Sequence, residues 1–572
     1  MFVTGRKPMA HPFASTLASH QQPLLIAQVN HLPIVADFAR RLDVVGIVNR
    51  LVPVQMEVQP GILVLGMVLD TLSGRSPLYH LEQAFSEADR TLLFGEALPA
   101  GYFSDDNAGR VLDHLFEAGT QGIFSALSVA AMDHFALSAK HVHFDTTSVN
   151  VYGDYPNAEA ESAAAHITYG YSKDKRPDLK QFVLSLLCVE GGIPIVGKHE
   201  DGNASDKAIN HTVLGEVVRH LREHGVAEDA FIYVADSAMV TEENLARAPR
   251  FITRLPATYN ACEHAILAAI DADRWTEVGA IAATPPTKAR PAAIYRVSEQ
   301  AVELYGSPYR AIVVHSSAHD KRRQKRLERE LAASLTAITA QAKACESKTL
   351  CCRADAEVAA QEAMAQRSAY HRLQVSVVER PRYGRGRPKR DGVRTPIAMA
   401  YGLSAEILED QPAIARRRQM AGCFVLLSNV PSIGDDGYDA ELILRTYKEQ
   451  YAIERNFSFL KDDQIVNALF LKRPERIEAL GLILLIALLI WRLMEQVMRS
   501  TLKTTESTVP GWDNKPTARP SAYMLTWTFR GVMVLCIGQT RQLHQPLSAT
   551  QQAFLRALQI PEERFLYPRS SA

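Results

Sequence analysis

The sequence predicts an α/β protein: a mixed sheet with helices on its faces, interrupted by an insertion and preceded by an all-helical domain. Three observations carry this. From residue 25 to 138, apolar residues recur at three- and four-residue intervals. From 139 to 260 the pattern becomes strand, strand, strand, helix, strand, helix, strand. Residues 261–430 break that alternation, and a helical segment at 431–503 follows. An antiparallel meander followed by alternating units implies a mixed sheet.

Residues 1–24 carry no apolar run and are expected to be a flexible N-terminus. In the helical domain, IVADFARRLDVVGIVNRLV and AGRVLDHLFEAGTQGIFSALSVAAMDHF show the helical period, and Ser104-Asp105-Asp106-Asn107 offers N-cap residues to the second. HVHFDTTSVNVYG alternates and is rich in Thr and Val. QFVLSLLCVE and IPIVGKHEDGN flank Gly191-Gly192, which reads as a hairpin turn. A helix over 206–224, the strand FIYVADS, a short helix near 241–248 and the strand FITRLP complete the series.

Within 261–430, AIYRVSEQAVELYGSPYRAIVVHSS alternates around a turn at Gly306-Ser307-Pro308. Residues 320–369 lack Gly and Pro and predict one long helix or a helical hairpin. A basic loop, ERPRYGRGRPKRDGVR, precedes the strand GCFVLLSN. Residues 504–572 form a Pro-, Thr- and Ser-rich tail with a last helical stretch at Tyr523–Cys536.

Composition narrows the function classes. The 572 residues allow about three to five domains at roughly 100–200 residues each. Hydrophobic residues at 47% and charged residues at 22% exclude a disordered, collagen-like or disulfide-scaffold chain. Lys+Arg and Asp+Glu both total 63, so any affinity for nucleic acid must come from local clusters. Seven cysteines without C-x-x-C spacing argue against a zinc knuckle and fit a reducing compartment. Ala479–Trp491 is apolar but shorter than the roughly 20 residues of a membrane span, so it predicts a core helix in a cytoplasmic protein with no membrane partner.

Asp145 lies inside a strand and Asp236 closes one, each flanked by large apolar residues. A charge there needs a cation or a donor network, and two such residues in one sheet suit a divalent metal used in phosphoryl transfer. Either alone also fits a strand-end cap. In DAELILRTYKEQYAIERNFSFLKDD, Tyr447, Gln450, Glu454 and Lys461 are offset by 0, 3, 7 and 14 residues. On one helix these fall within an arc of roughly 60°. An ordinary solvated helix face is the alternative.

These residues resemble the DDE transposases of bacterial insertion sequences, in particular the group marked by a Y-(2)-R-(3)-E-(6)-K signature. Every spacing is kept, with Gln450 at the Arg position. DTTSVNVYG, YVADSAM, GYSKDKRPDLKQ and DGNASD are also similar to this group. The resemblance implies an RNase H-like catalytic core in two parts, with Asp145, Asp236 and Glu454 as catalytic residues and metal ligands. It implies two Mg²⁺ ions per site, with Mn²⁺ as a substitute. Tyr447 and Lys461 would hold DNA phosphates. At the Arg position the Arg role is not carried over to Gln450: either a phosphate contact is lost or Arg455 is a candidate substitute cation for DNA. The implied activity is cleavage of element ends and transfer into target DNA by a homodimer acting on double-stranded DNA, nucleoid-associated in a bacterial cytoplasm. The helical domain would be the first candidate for recognising the ends.

The basic loop adds a further candidate DNA contact through Arg385, Gly386, Arg387, Lys389 and Arg390. Arg385-Gly386-Arg387-Pro388 resembles the AT-hook, whose arginines enter a narrow A·T minor groove. A solvated flexible loop is the alternative. Two other functions compete: an RNase H-like nuclease that does not join strands, and an inactive transposase-derived DNA-binding protein. All three carboxylates being intact argues against the second. No G-x-S-x-G supports a serine hydrolase, and His141, His143, His199 and His315 lack metal-ligand spacing.

Overall fold

The chain divides after Phe251 and again after Arg445 into two units: the second is Ile252–Arg445, and the first takes the chain on either side of it. The computed structural model describes residues 24–568 except 75–76, 154, 156–163, 224–226, 228–229, 283–285, 287–290, 367, 387–394, 463–470, 472 and 538–539. The first unit opens with strand β1 (Leu24–Gln28), paired antiparallel with Met533–Ile537, which pairs in turn with Thr540–Leu543. The sequence predicts helix at both places. A five-residue apolar run shows no period of its own, and its partner lies some 500 residues away, so local pattern could not reveal the pairing. The tail's helices are instead Ala522–Thr528 and Ala549–Leu558. After β1 come helices that include Leu32–Arg41, Pro60–Ser73, Asp105–Ala118 and Thr120–His134. Ser104 caps the third as expected, accepting from Asn107 N.

The next elements follow the predicted order: β2 (His141–Val151), β3 (Lys180–Val189), β4 (Ile193–Glu200), α1 (Asp206–Glu223), β5 (Ile232–Ala235), a short helix Glu242–Arg247, and β6 (Phe251–Leu255). In the first unit the strands lie in the order β4-β3-β2-β5. β2 runs parallel to β5 and antiparallel to β3, so the sheet is mixed. β3 is buried at every position after Lys180, which is why QFVLSLLCV is apolar at all but Gln181 and Ser185 rather than alternating. Gly191 and Gly192, at φ +79° and +74°, turn β3 into β4, a conformation that other residues adopt only at a cost.

The second unit holds β7 (Thr276–Ala280), β8 (Ile294–Leu304) and β9 (Ser307–Ser316). The β8–β9 turn is Tyr305-Gly306, both at positive φ, and Ser307 and Pro308 already belong to the strand rather than to the turn predicted there. Helix α2 (Ser317–Glu346), strand β10 (Thr349–Leu350) and helix α3 (Arg353–Ala365) resolve the Gly-free stretch as two helices. β11 (His371–Arg382), β12 (Ala398–Glu409), α4 (Gln411–Met420) and β13 (Cys423–Ser428) follow. One antiparallel sheet runs β6-β13-β9-β8-β7 and a second runs β10-β12-β11. Ile338, Ala342, Ala356, Ala360 and Ala363 pack on Leu373, Val375 and Leu403. Alanines at these positions let both helices approach the hairpin closely.

The last helices are α5 (Ala440–Lys448), α6 (Tyr451–Leu460) and α7 (Pro474–Thr504). At 31 residues α7 is long and apolar enough to cross a membrane, yet 89% of its most apolar window is buried within the protein. It packs as a core helix, as its bracketing charges suggested. Arg476 forms a two-pronged pair with Asp113 at 2.7 and 2.8 Å, and Thr120 donates to Glu478 at 2.9 Å. The N-terminal helices are thereby tied to α7.

Candidate active site

The parallel pairing of β2 and β5 places the two aspartates. His141, Val142 and His143 pair with Ile232, Tyr233 and Val234, and the same offset carried two residues on sets Asp145 level with Asp236. Adjacent strands lie about 4.8 Å apart, so these carboxylates are neighbours. Both are half-buried. Asp145 accepts from Thr146 N at 2.8 Å, and Asp236 caps the turn Ser237–Met239 by accepting from Ala238 N at 3.0 Å. Burial pushes the Asp145 carboxyl up to about 6; Asp236 and Asp206 push the same way, while Lys173 and the Thr146 N–H oppose it. Burial also raises Asp236, helped by Asp206 and opposed by Ala238 N–H and Lys173.

Two further residues join this pair. Asp206, at the start of α1, accepts from Thr146 Oγ1 at 2.6 Å. The Lys173 ammonium contacts Thr146 O at 2.8 Å, Thr146 Oγ1 at 2.6 Å and Asp206 at 3.3 Å. Its three protons are thus engaged, and it acts as a fixed positive charge beside the acids. Lys173 and Asp206 lie in GYSKDKRPDLKQ and DGNASD, two segments visible in the sequence. Only the fold shows that they converge on Asp145 and Asp236.

Helix α6 lies over the Asp145 face of β2. His141, His143 and Asp145 alternate along the strand and so share one face. Glu449, just before α6, is hydrogen-bonded to His141 Nδ1 at 3.2 Å and lies 3.6 Å from His143 Nε2. Burial would raise Glu449, but the two histidines outweigh it and hold the carboxyl down to about 2. Gln450 donates to Phe144 O at 3.4 Å. Asn456 donates to Gly192 O at 2.8 Å and to Cys188 Sγ at 3.2 Å, and accepts from Arg492 Nε at 2.6 Å. A Cβ on Gly192 would meet the Ala452 Cβ at 2.7 Å, so glycine is what permits this approach. Glu454 sits one turn after Gln450 and is exposed.

The signature residues do not share one continuous helix. The ladder tightens at 449–453, where Glu449 N, Gln450 N, Ala452 N and Ile453 N bond three residues back, to Thr446, Tyr447, Glu449 and Gln450. Such bonds wind about 120° per residue, so the arc predicted for Tyr447, Gln450, Glu454 and Lys461 does not hold across the break. Tyr447 lies one residue before the end of α5, half-buried. Lys461 caps α6 and pairs with Asp174 at 2.6 and 2.8 Å. Arg455 is turned toward Glu495 at 3.4 Å. Arg385 is exposed after β11, and Gly386 has φ +147°. Arg387, Lys389 and Arg390 lie outside the described residues.

Two hard oxygen donors held partly toward their protonated state suit a divalent cation such as Mg²⁺ or Mn²⁺. Asp145 and Asp236 fit that role. Among the described residues no three His, Cys, Asp or Glu side chains converge as a formed metal centre, and Glu454 stands outside the pair.

Residues 24–129, from β1 into helix Thr120–His134, match a family model described as a domain of unknown function, DUF4277. This domain is found in transposase-like proteins. No curated protein matches the chain.

Proposed function

We propose that the chain is a DNA transposase that cleaves the ends of its element and joins them to target DNA. The observation that carries this reading is the level, half-buried pair Asp145 and Asp236, with the helix bearing Glu454 packed over the same face. The domain match at residues 24–129 supports the transposase context. Bound divalent cations would supply charge neutralisation at the scissile phosphate. Asp145, Asp236 and Glu454 would hold them. Lys173 fixes the segment beside Asp145, and Glu449 with Asn456 sets where α6 sits on the sheet. In-line displacement at phosphorus asks little covalent chemistry of a protein, so positioning of this kind accounts for most of the work. Two such sites in a homodimer would act on two ends.

The test is to sequence the DNA flanking the coding region for inverted repeats, which the reading requires, and to assay Mg²⁺-dependent cleavage of a duplex carrying them. Release of a 3′-hydroxyl end supports the reading, and no cleavage in Mg²⁺ or Mn²⁺ counts against it. Cleavage without joining would leave a nuclease. Lys461 offers a separate check, because its pairing with Asp174 leaves it at the edge of the site. Lys461→Ala should lower the salt dependence of DNA affinity by about one phosphate contact. Asp174→Asn should raise affinity by freeing the ammonium. Salt titrations of both variants by fluorescence anisotropy measure this; an unchanged slope for Lys461→Ala would remove Lys461 from the DNA path.

A further inference from the structure

A cavity in the second unit is lined by residues of α2 and α4 and by none of the catalytic candidates. It is an open pocket of about 650 Å³, its solvent-filled mouth included. Arg323 and Arg326 from α2 and Arg417 from α4 line it beside two carboxylates, Glu263 and Glu330, over an apolar floor of Leu327, Met420 and Cys423. Glu263 is taken up by Arg416 at 3.0 Å, and Arg417 is hydrogen-bonded to Tyr370. Arg323 and Arg326 are three residues apart and so face the same way on their helix. Arg326 is paired with Glu330 at 2.7 Å, and Glu330 also accepts from Tyr370 OH at 3.2 Å.

Arg323 is different. It is half-buried and makes no ion pair or hydrogen bond among the described residues. Burial pushes its pKa below the ordinary arginine value, and Arg326, Arg254 and Arg417 push further in the same direction, with Glu330 opposing. Three guanidiniums around an unpaired fourth cost stability unless an anion answers them. The guanidinium fork matches phosphate in particular.

The surroundings say which phosphate. Residues 321–329, KRRQKRLER, hold six Lys or Arg and one Glu in a chain of zero net charge. Lys321, Arg322, Lys325 and Arg329 are exposed along α2. A row of spaced cations leading to a pocket fits a repeating anion rather than a solitary one.

We infer that the pocket between α2 and α4 is a binding site for the phosphodiester backbone of duplex DNA, with Arg323 and Arg417 as its anion ligands. The inference takes its ligand from the proposed function but uses none of the catalytic carboxylates. The test is binding of a labelled duplex to the full chain across a salt series. For Arg323→Ala with Arg417→Ala, affinity should fall about tenfold or more. The slope of log K against log salt should become shallower by about two contacts, near 0.9 each. Arg323→Lys with Arg417→Lys keeps the charge and should retain most of the slope. Thermal melting checks folding, and Arg323→Gln alone replaces the double variant if that variant is unfolded. Unchanged affinity and slope would overturn the site. So would saturable binding of inorganic phosphate with an unchanged DNA slope, since that describes a small-anion pocket. If the slope falls while the wild-type chain never cleaves DNA, the pocket stands and the transposase reading fails. If the wild type cleaves and the slope is unchanged, the reverse holds.

Discussion

Asp145→Asn and Asp236→Asn should each reduce metal-dependent DNA cleavage by about a thousandfold or more, roughly 4 kcal/mol of barrier, while leaving DNA affinity within about twofold. The amide keeps the shape of the carboxylate and removes the charge that holds a cation. Glu454→Gln should behave alike if the exposed Glu454 is the third ligand. Near-normal cleavage by any one variant would remove that residue from the site. Asp145 also carries a stability signature. Burial pushes its carboxyl from the ordinary 3.8 up to about 6 in the folded protein. The folded state therefore binds the proton more tightly, and stability falls as pH rises from about 4 to about 6. Above that range the ionised group costs at most about 3 kcal/mol. In a metal chelator, Asp145→Asn should melt higher than wild type at pH 8, and the gap should close toward pH 4. Parallel melting curves at every pH would show that Asp145 is not held in a desolvated site.

The second large effect concerns what holds α6. Glu495 on α7 is 1% exposed and Arg492 is 4% exposed, and they pair at 2.8 Å. Glu495 also receives Arg499 at 3.0 Å and Arg455 at 3.4 Å, and accepts from Ala522 N at 3.1 Å. Arg492 in turn donates to Asn456, which fastens α6 to the β3–β4 turn. Glu495→Ala would leave Arg492 buried without its counter-charge, which typically costs about 3–5 kcal/mol. Urea unfolding should show that loss, with cleavage falling as α6 shifts. A loss below about 1 kcal/mol would mean that the network is solvated and does not anchor the helix.

Local pattern made much of this molecule readable. The order of elements from β2 to β6 follows from alternation, period and turn residues, each of which is a property of a few neighbouring side chains. Gly191-Gly192 was legible for the same reason, since only a turn needs two residues at positive φ. Asp145 and Asp236 stood out because charge inside an apolar strand calls for compensation. What local pattern hides is partnership over distance. Leu24–Gln28 is a strand because Met533–Ile537 pairs with it. Lys173 and Asp206 reach Asp145 through a loop and a helix start whose convergence only the sheet defines. The break at Glu449 follows from contacts with His141 and His143 on β2, over 300 residues earlier, and no helical period records that. Lys461 and Arg455, read as DNA contacts, have carboxylate partners from other segments, Asp174 and Glu495.

The most direct measurement is strand transfer. Wild-type protein and Asp145→Asn would be given a labelled duplex with the flanking repeat and a free 3′-hydroxyl, supercoiled plasmid as target, and Mg²⁺. Wild type should join the labelled end to the plasmid, and Asp145→Asn should bind the duplex equally but form no joined product. Joining at equal rates by both proteins, or DNA binding by wild type with no joining in either Mg²⁺ or Mn²⁺, would contradict the transposase reading.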